Sequence, residues 1–224
     1  MERHFDQDLN LLKDKLIQMA GLSESNIYLA IKLLTERNET LNNQIQEQEQ
    51  RINALQLEID NFCLKLLALH QPVAFDLRFI TSAMRINAEL ERIGDQAINI
   101  TQSALELIRQ PMLKPLVDIP KMAELVQSMV KDSLDSFVKQ DSQKAREILK
   151  RDDQIDNYKD QIFRELLTFM LQDPTTIPRA LQLILISRHL ERIADHSTNI
   201  AEDVVYLVEG KDIRHHVENR PEES

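Results

Sequence analysis

The sequence predicts an all-α protein, a tandem duplication of two antiparallel three-helix bundles. Three observations predict it. Of 224 residues, three are glycine, none is tryptophan and 4% are aromatic. Sheets draw on β-branched and aromatic residues and on turn glycines, so this composition suits long helices instead. Residues 89–100 read ELERIGDQAINI and residues 189–200 read HLERIADHSTNI, identical at seven of twelve positions, where ordinary composition gives roughly one match. Finally, Pro111, Pro115 and Pro120 fall within ten residues. No helix runs through such a stretch, so it separates the two copies.

The first helix, over about 4–37, carries Phe5, Leu9, Leu12, Leu16 and Met19 at alternating spacings of four and three, one face of an amphipathic helix. Gly21 and Ser23 weaken the pattern and predict a bend, after which Ile27, Ala30 and Leu34 resume it. The second helix, 41–70, buries Ile45, Ile52, Leu55, Ile59, Phe62, Leu66 and Leu69, and ends at Gln71-Pro72 because a residue before proline is pushed out of the α region. The third, 76–109, has the stripe Phe79, Ala83, Ile86, Leu90, Ile93, Ala97 and Ile100.

The second copy repeats the plan. A helix over 121–139 carries Leu125, Met129 and Leu134. Another, over 142–171, carries Ile148, Ile155, Ile162, Leu166 and Phe169. Asp173-Pro174 breaks it, and a last helix over 176–208 buries Leu183, Ile186, Leu190, Ile193, Ile200 and Leu207 before Gly210 stops it. The predicted units are 1–112, 117–210 and a frayed polar tail, 211–224.

The formal charge of −10 gives no basic footprint for nucleic acid and favours cations or basic protein surfaces as partners. The single cysteine, Cys63, flanks an apolar stripe and reads as a packed free thiol in a reducing compartment. MERHFDQDLN has no apolar signal region, and no apolar run approaches the ~18 residues of a membrane helix. A cytoplasmic protein is expected, not an integral membrane one.

The chemistry lies in the repeated Glu-x-x-x-Asp. At about 100° per residue, Glu91 and Asp95 lie roughly 160° from Ile93, so both point away from their own bundle's core. Glu191 and Asp195 repeat this around Ile193. Like charges at this spacing cost about 0.2–0.5 kcal/mol in an isolated helix, yet the spacing recurs. The preceding helix of the second copy adds Asp152, Asp153, Asp156 and Asp160. Facing acidic ladders suit a cation with oxygen ligands. The bland alternative is a solvated acidic face on a structural scaffold, and a third reading is a carboxylate-bridged metal enzyme. Arg92 is placed to bridge to Glu89, and Gly94 suggests close helix approach. His189 and His196, seven apart, lie near one face but match Glu89 and Gln96 of the first copy, which argues against a shared metal role. No nucleophile–base signature or phosphate-cradling glycine loop is present in the sequence.

LERIGD with AINI, QPVAFDLRFI at 71–80, RDDQID at 151–156, LERIADHSTNIAEDV at 190–204 and the closing EGKDIRHH together resemble the PhoU family of phosphate-transport regulators. The resemblance implies a non-enzymatic negative regulator of phosphate uptake and phosphate-starvation signalling. Such a protein links the phosphate ABC transporter to the phosphate-sensing histidine kinase at the cytoplasmic membrane face, often as a homodimer. It also implies divalent or ferric metal, whether iron, zinc, manganese or magnesium, on Glu91, Asp95, Glu191 and Asp195, with Asp152, Asp153 and Asp156 from the neighbouring helix. The first copy reads EQRIN at 49–53, which leaves only Glu49 and a weaker expected site. Asp76 and Arg78 occur only in the first copy and are candidates for a partner contact or for a helix cap and ion pair.

Overall fold

The computed structural model describes residues 2–214, and side chains from His4 onward. Seven α-helices account for it: α1 (Glu2–Glu36), α2 (Leu41–His70), α3 (Ala74–Ile108), α4 (Asp118–Lys139), α5 (Ser142–Leu149), α6 (Asp152–Gln172) and α7 (Ile177–Glu209), with one 3-10 turn at Pro174–Thr176. There is no strand among the described residues. α1–α3 make one three-helix bundle and α4–α7 the other, joined by the proline-bearing stretch 109–117.

The helix ends follow local chemistry. Gln71, Gln140 and Gly210 each leave their helix in the left-handed region, with backbone N–H groups bonded back to Leu67, Phe137 and Tyr206 carbonyls. Gln71 (φ 47, ψ 54) is therefore left-handed rather than extended, although proline still forces it out of the right-handed helix. The Asp141 carboxylate accepts the Lys144 N–H at 2.9 Å, capping α5. Asp173 does the same for Thr175 at 2.9 Å, starting the 3-10 turn that leads into α7.

α1 runs through Gly21 as one helix, as expected over about 4–37. Two sequence expectations change. The helix expected over 142–171 is two, broken at Lys150–Arg151. Arg151 turns aside to bond Asp132 of α4 at 2.6 Å, and Asp152-Asp153 then open α6, where negative charge suits the positive end of the helix dipole. The tail is not frayed throughout: Ile213 packs into the core and Arg214 pairs with Asp212. Residues 215–224 of the expected tail lie outside the described residues.

The apolar stripes meet as expected, apart from Leu69, which is exposed in the last turn of α2, and Phe169, which is only half-buried near the end of α6. Cys63 is fully buried, and burial with the nearby Asp60 charge pushes its thiol up to about 12. The buried residues of both bundles form one continuous cluster. Phe79 of α3 stacks on Phe137 of α4 with centroids 5.1 Å apart, and α1 reaches α4 as well as its own bundle. Leu29, Ile31 and Leu33 are buried as well, outside the predicted stripe. The main seam between the bundles is α3 against α7. Its side-chain pairs run from Arg78 with the Leu207 carbonyl, through Glu89 with His196, to Gln182 with Glu106, so the two helices are antiparallel.

Candidate functional site: two acidic clusters and the seam between them

The two LERI motifs sit at the middle of that seam. Leu90, Ile93, Leu190 and Ile193 are fully buried, while Asp95 and Asp195 are exposed and Glu91 and Glu191 half-buried. The outward direction read from helical geometry is therefore what the structure shows. In the first copy α2 crosses α3 at Gly94. A Cβ there would lie 2.9 Å from a Glu49 carboxylate oxygen and 3.3 Å from an Ile52 methyl, so a larger residue would push the Glu49 carboxylate aside. Asn87 ties the same helices, donating to the Gln56 carbonyl and the Asp60 carboxylate at 2.9 Å each.

Glu49 is the unusual residue of this cluster. It is 8% exposed, and both carboxylate oxygens are buried without a hydrogen-bond partner. Burial, then the negative charge of Asp95, lifts its carboxyl to about 7; the neighbouring Asn53 amide opposes the rise and Glu91 adds to it. Burial and Asp95 also raise Glu91, although Arg92 opposes them. Glu49, Glu91 and Asp95 thus feel one another's charge, and that repulsion is only partly relieved.

The second cluster is richer in acid but differently balanced. Asp152 is half-buried and raised, first by burial and then by Asp156, Asp153 and Glu191. Asp195 reaches solvent, yet its carboxyl is partly desolvated, and that, with the charges of Glu191 and Asp152, pushes it up to about 6. Between them stands Lys159, its Nζ 2.7 Å from Asp156 and 3.2 Å from Glu191. Those two carboxylates hold the ammonium well above its ordinary value despite partial burial. Asp153 and Asp160 are exposed at the flank. Among the described residues, no three His, Cys, Asp or Glu side chains converge as a preassembled metal site. The donors are oxygen throughout, the chemistry of a hard cation, and the orphaned Glu49 fits one.

Sequence reasoning missed the polar seam. His196 Nδ1 lies 2.7 Å from Glu89, and Asn199 donates to the same oxygen at 3.0 Å. Arg92 bonds the other Glu89 oxygen at 2.9 Å, the bridge expected from spacing. Burial alone would raise the Glu89 carboxyl, but the bonds from His196 and Asn199 and the nearby positive charge outweigh it and hold it below the usual range. His189 pairs with Gln96 at 2.9 Å, and burial with Arg192 and Arg188 lowers its imidazole. Glu89 and Gln96 were visible as the positions matching His189 and His196; they are in fact the partners, crossed over. Positions 89 and 196 exchange with 189 and 96 about a pseudo-two-fold axis between the motifs. Arg85 with the buried Asp203, 3.0 Å apart, extends the seam. Arg78 is spent within the chain, its Nε on the Leu207 carbonyl at 3.4 Å and its guanidinium over Phe75. Asp76 sits in the first turn of α3, whose N-cap is Val73.

Comparison with known proteins places this geometry. The family model of the PhoU domain matches residues 16–104 and 119–204, one match within each bundle. The chain is 40% identical over 217 residues to a phosphate-specific transport system accessory protein PhoU homolog of Aquifex aeolicus, covering 96% of this chain and 98% of that relative. It is 37% identical to the Pseudomonas putida protein of the same name, over 96% of this chain and 84% of that one. Among solved structures, PhoU from Pseudomonas aeruginosa superposes with a TM-score of 0.89 at 36% identity, covering 92% of this chain and 100% of that one. The phosphate transport system regulatory protein PhoU from Streptococcus pneumoniae gives 0.86 at 32% identity, over 93% and 98%. With two domain matches, one per bundle, and whole-length relatives at this identity, the chain belongs to the PhoU family.

Proposed function

We propose that this chain is a non-enzymatic negative regulator of phosphate uptake and phosphate-starvation signalling. It acts as a homodimeric, metal-binding adaptor between a phosphate ABC transporter and a phosphate-sensing histidine kinase at the cytoplasmic membrane face. The names of its relatives, accessory protein of phosphate-specific transport, support the phosphate role. No helix among the described residues is long and apolar enough to cross a membrane, in keeping with an adaptor that reaches the membrane through partners.

The observation that carries the metal reading is Glu49, buried with both oxygens unpartnered beside Glu91 and Asp95. A buried carboxylate is costly unless it is paired or ligates a cation. Glu49, Glu91 and Asp95 would hold the ion in the first repeat, and Asp152, Asp156, Glu191 and Asp195, flanked by Asp153, in the second. Iron, zinc, manganese or magnesium would supply the positive charge that joins α2 to α3. The chain's own contribution is placement: Gly94 admits Glu49, and Leu90 and Ile93 anchor the turn that carries the outward acids.

Two measurements test this. Metal analysis of the purified protein should show bound metal that falls in a Glu49→Gln/Glu91→Gln/Asp95→Asn variant; equal content in both would end the metal reading. A strain lacking this chain should express phosphate-starvation genes even in excess phosphate. Normal repression in that strain would end the regulatory reading.

A further inference from the structure

The two acidic clusters hold matching places in the two repeats but differ at one position that changes what each requires. EQRIN at 49–53 aligns with DDQID at 152–156. Three residues beyond, the second repeat has Lys159 and the first has Gln56. Lys159 reaches across from α6 to α7, its Nζ 2.7 Å from Asp156 Oδ1 and 3.2 Å from Glu191 Oε1. Gln56 offers no charge, and its backbone carbonyl is taken by Asn87. The first cluster keeps Glu49 buried and unpartnered, while the richer second cluster already contains a cation.

We propose that Lys159 is a tethered counter-ion standing where metal would bind in the second repeat, so that the first repeat, despite fewer acids, takes up metal more readily. The inference rests on the metal-binding reading above. An ammonium on the same chain is present at high effective concentration, so a metal ion must displace it before engaging Asp156 and Glu191. Displacement is sterically open. The Lys159 side chain is 27% exposed, and Lys159 and Glu191 line an open groove between α6 and α7 with Phe163 and Arg188. Lys159 therefore weakens the second site rather than closing it, and the duplicated motif yields two sites of unequal affinity.

The test uses the full chain stripped with a chelator and titrated with Mn2+ by calorimetry, with thermal unfolding run alongside. Lys159→Gln places at 159 the residue type found at 56. It should bind more Mn2+ than wild type, with the added site tighter by about tenfold or more for loss of one competing charge. Asp195→Asn introduced with Lys159→Gln should remove the gain. Without metal, Lys159→Gln should melt below wild type, and Mn2+ should raise its Tm further than it raises that of wild type. Equal Mn2+ stoichiometry, affinity and Tm response in the two proteins would overturn the proposal. A gain in Lys159→Gln, with wild-type binding unaltered by Glu49→Gln, would uphold the role of Lys159 while overturning metal at the first cluster. No uptake by either protein would overturn both.

Discussion

Replacing Glu89 with alanine cuts the polar seam at its centre. The carboxylate is 9% exposed and accepts from His196 at 2.7 Å, Asn199 at 3.0 Å and Arg92 at 2.9 Å. The Arg92 bond joins a side chain that is 56% exposed, and such a pair contributes at most a few tenths of a kcal/mol. The other two cross between bundles in a shielded setting, where a bond to a charged group is worth about 1–2 kcal/mol net. Their loss also strands two donors in the seam. The sum is a destabilisation of about 2–4 kcal/mol, or roughly 5–10 °C in Tm for a chain of this length. Glu89→Gln keeps one acceptor and should lose about half as much. Urea denaturation of Glu89→Ala, His196→Ala and the double variant gives the coupling directly, expected at about 1–2 kcal/mol. The pH dependence adds a second check. Because the folded-state carboxyl titrates below the free value of 4.5, the contribution of Glu89 is complete above that pH and disappears as pH falls through the folded value. A Glu89→Ala variant within about 0.5 kcal/mol of wild type at neutral pH, or a coupling near zero, would refute the seam as the tie between bundles.

Further expectations follow from other contacts. In metal-free protein Glu49→Gln should match wild type near pH 4.5 and become the more stable as pH rises through about 7, since a carboxyl raised by burial and by Asp95 favours folding only while protonated. The gap should reach about 1–3 kcal/mol, read from urea midpoints against pH, and a pH-independent difference would contradict it. Asp132→Ala removes the acceptor of Lys144 at 2.8 Å and Arg151 at 2.6 Å. It should cost about 1–2 kcal/mol, with normal stability at pH 7 counting against the tie of α4 to α5 and to the α5–α6 break. Phe79→Ala empties the stack against Phe137 between bundles and should cost about 3–5 kcal/mol in a single cooperative transition. Two separated transitions would show that the bundles unfold independently.

Period and repeat made the fold legible. Leu90, Ile93 and their counterparts fall on the 3.6-residue stripe, and the outward direction of Glu91 and Asp95 follows from the same arithmetic. What stayed hidden depends on packing between distant helices. Nothing local says that Lys159, three residues after Asp156, also reaches Glu191, or that His196 meets Glu89 107 positions away. The break at Lys150–Arg151 did leave a trace, because Asp152-Asp153 is a helix-start signal inside an otherwise continuous apolar period. That period dominated because Ile148 and Ile155 keep step across the break, both fully buried.

The crossed pairs, Glu89 with His196 and Gln96 with His189, have one more consequence. Contacts in which position i meets j while j meets i are the signature of an isologous interface between identical subunits. Here the two subunits are one chain, joined by the stretch 109–117. In a true homodimer any change at position 89 appears on both sides of the axis and must suit both. Fusion removes that constraint, and each end of the seam is free to adopt its own chemistry. One end has become a carboxylate with an imidazole, the other an amide with an imidazole. The same freedom gives the second acidic cluster a lysine that the first does without.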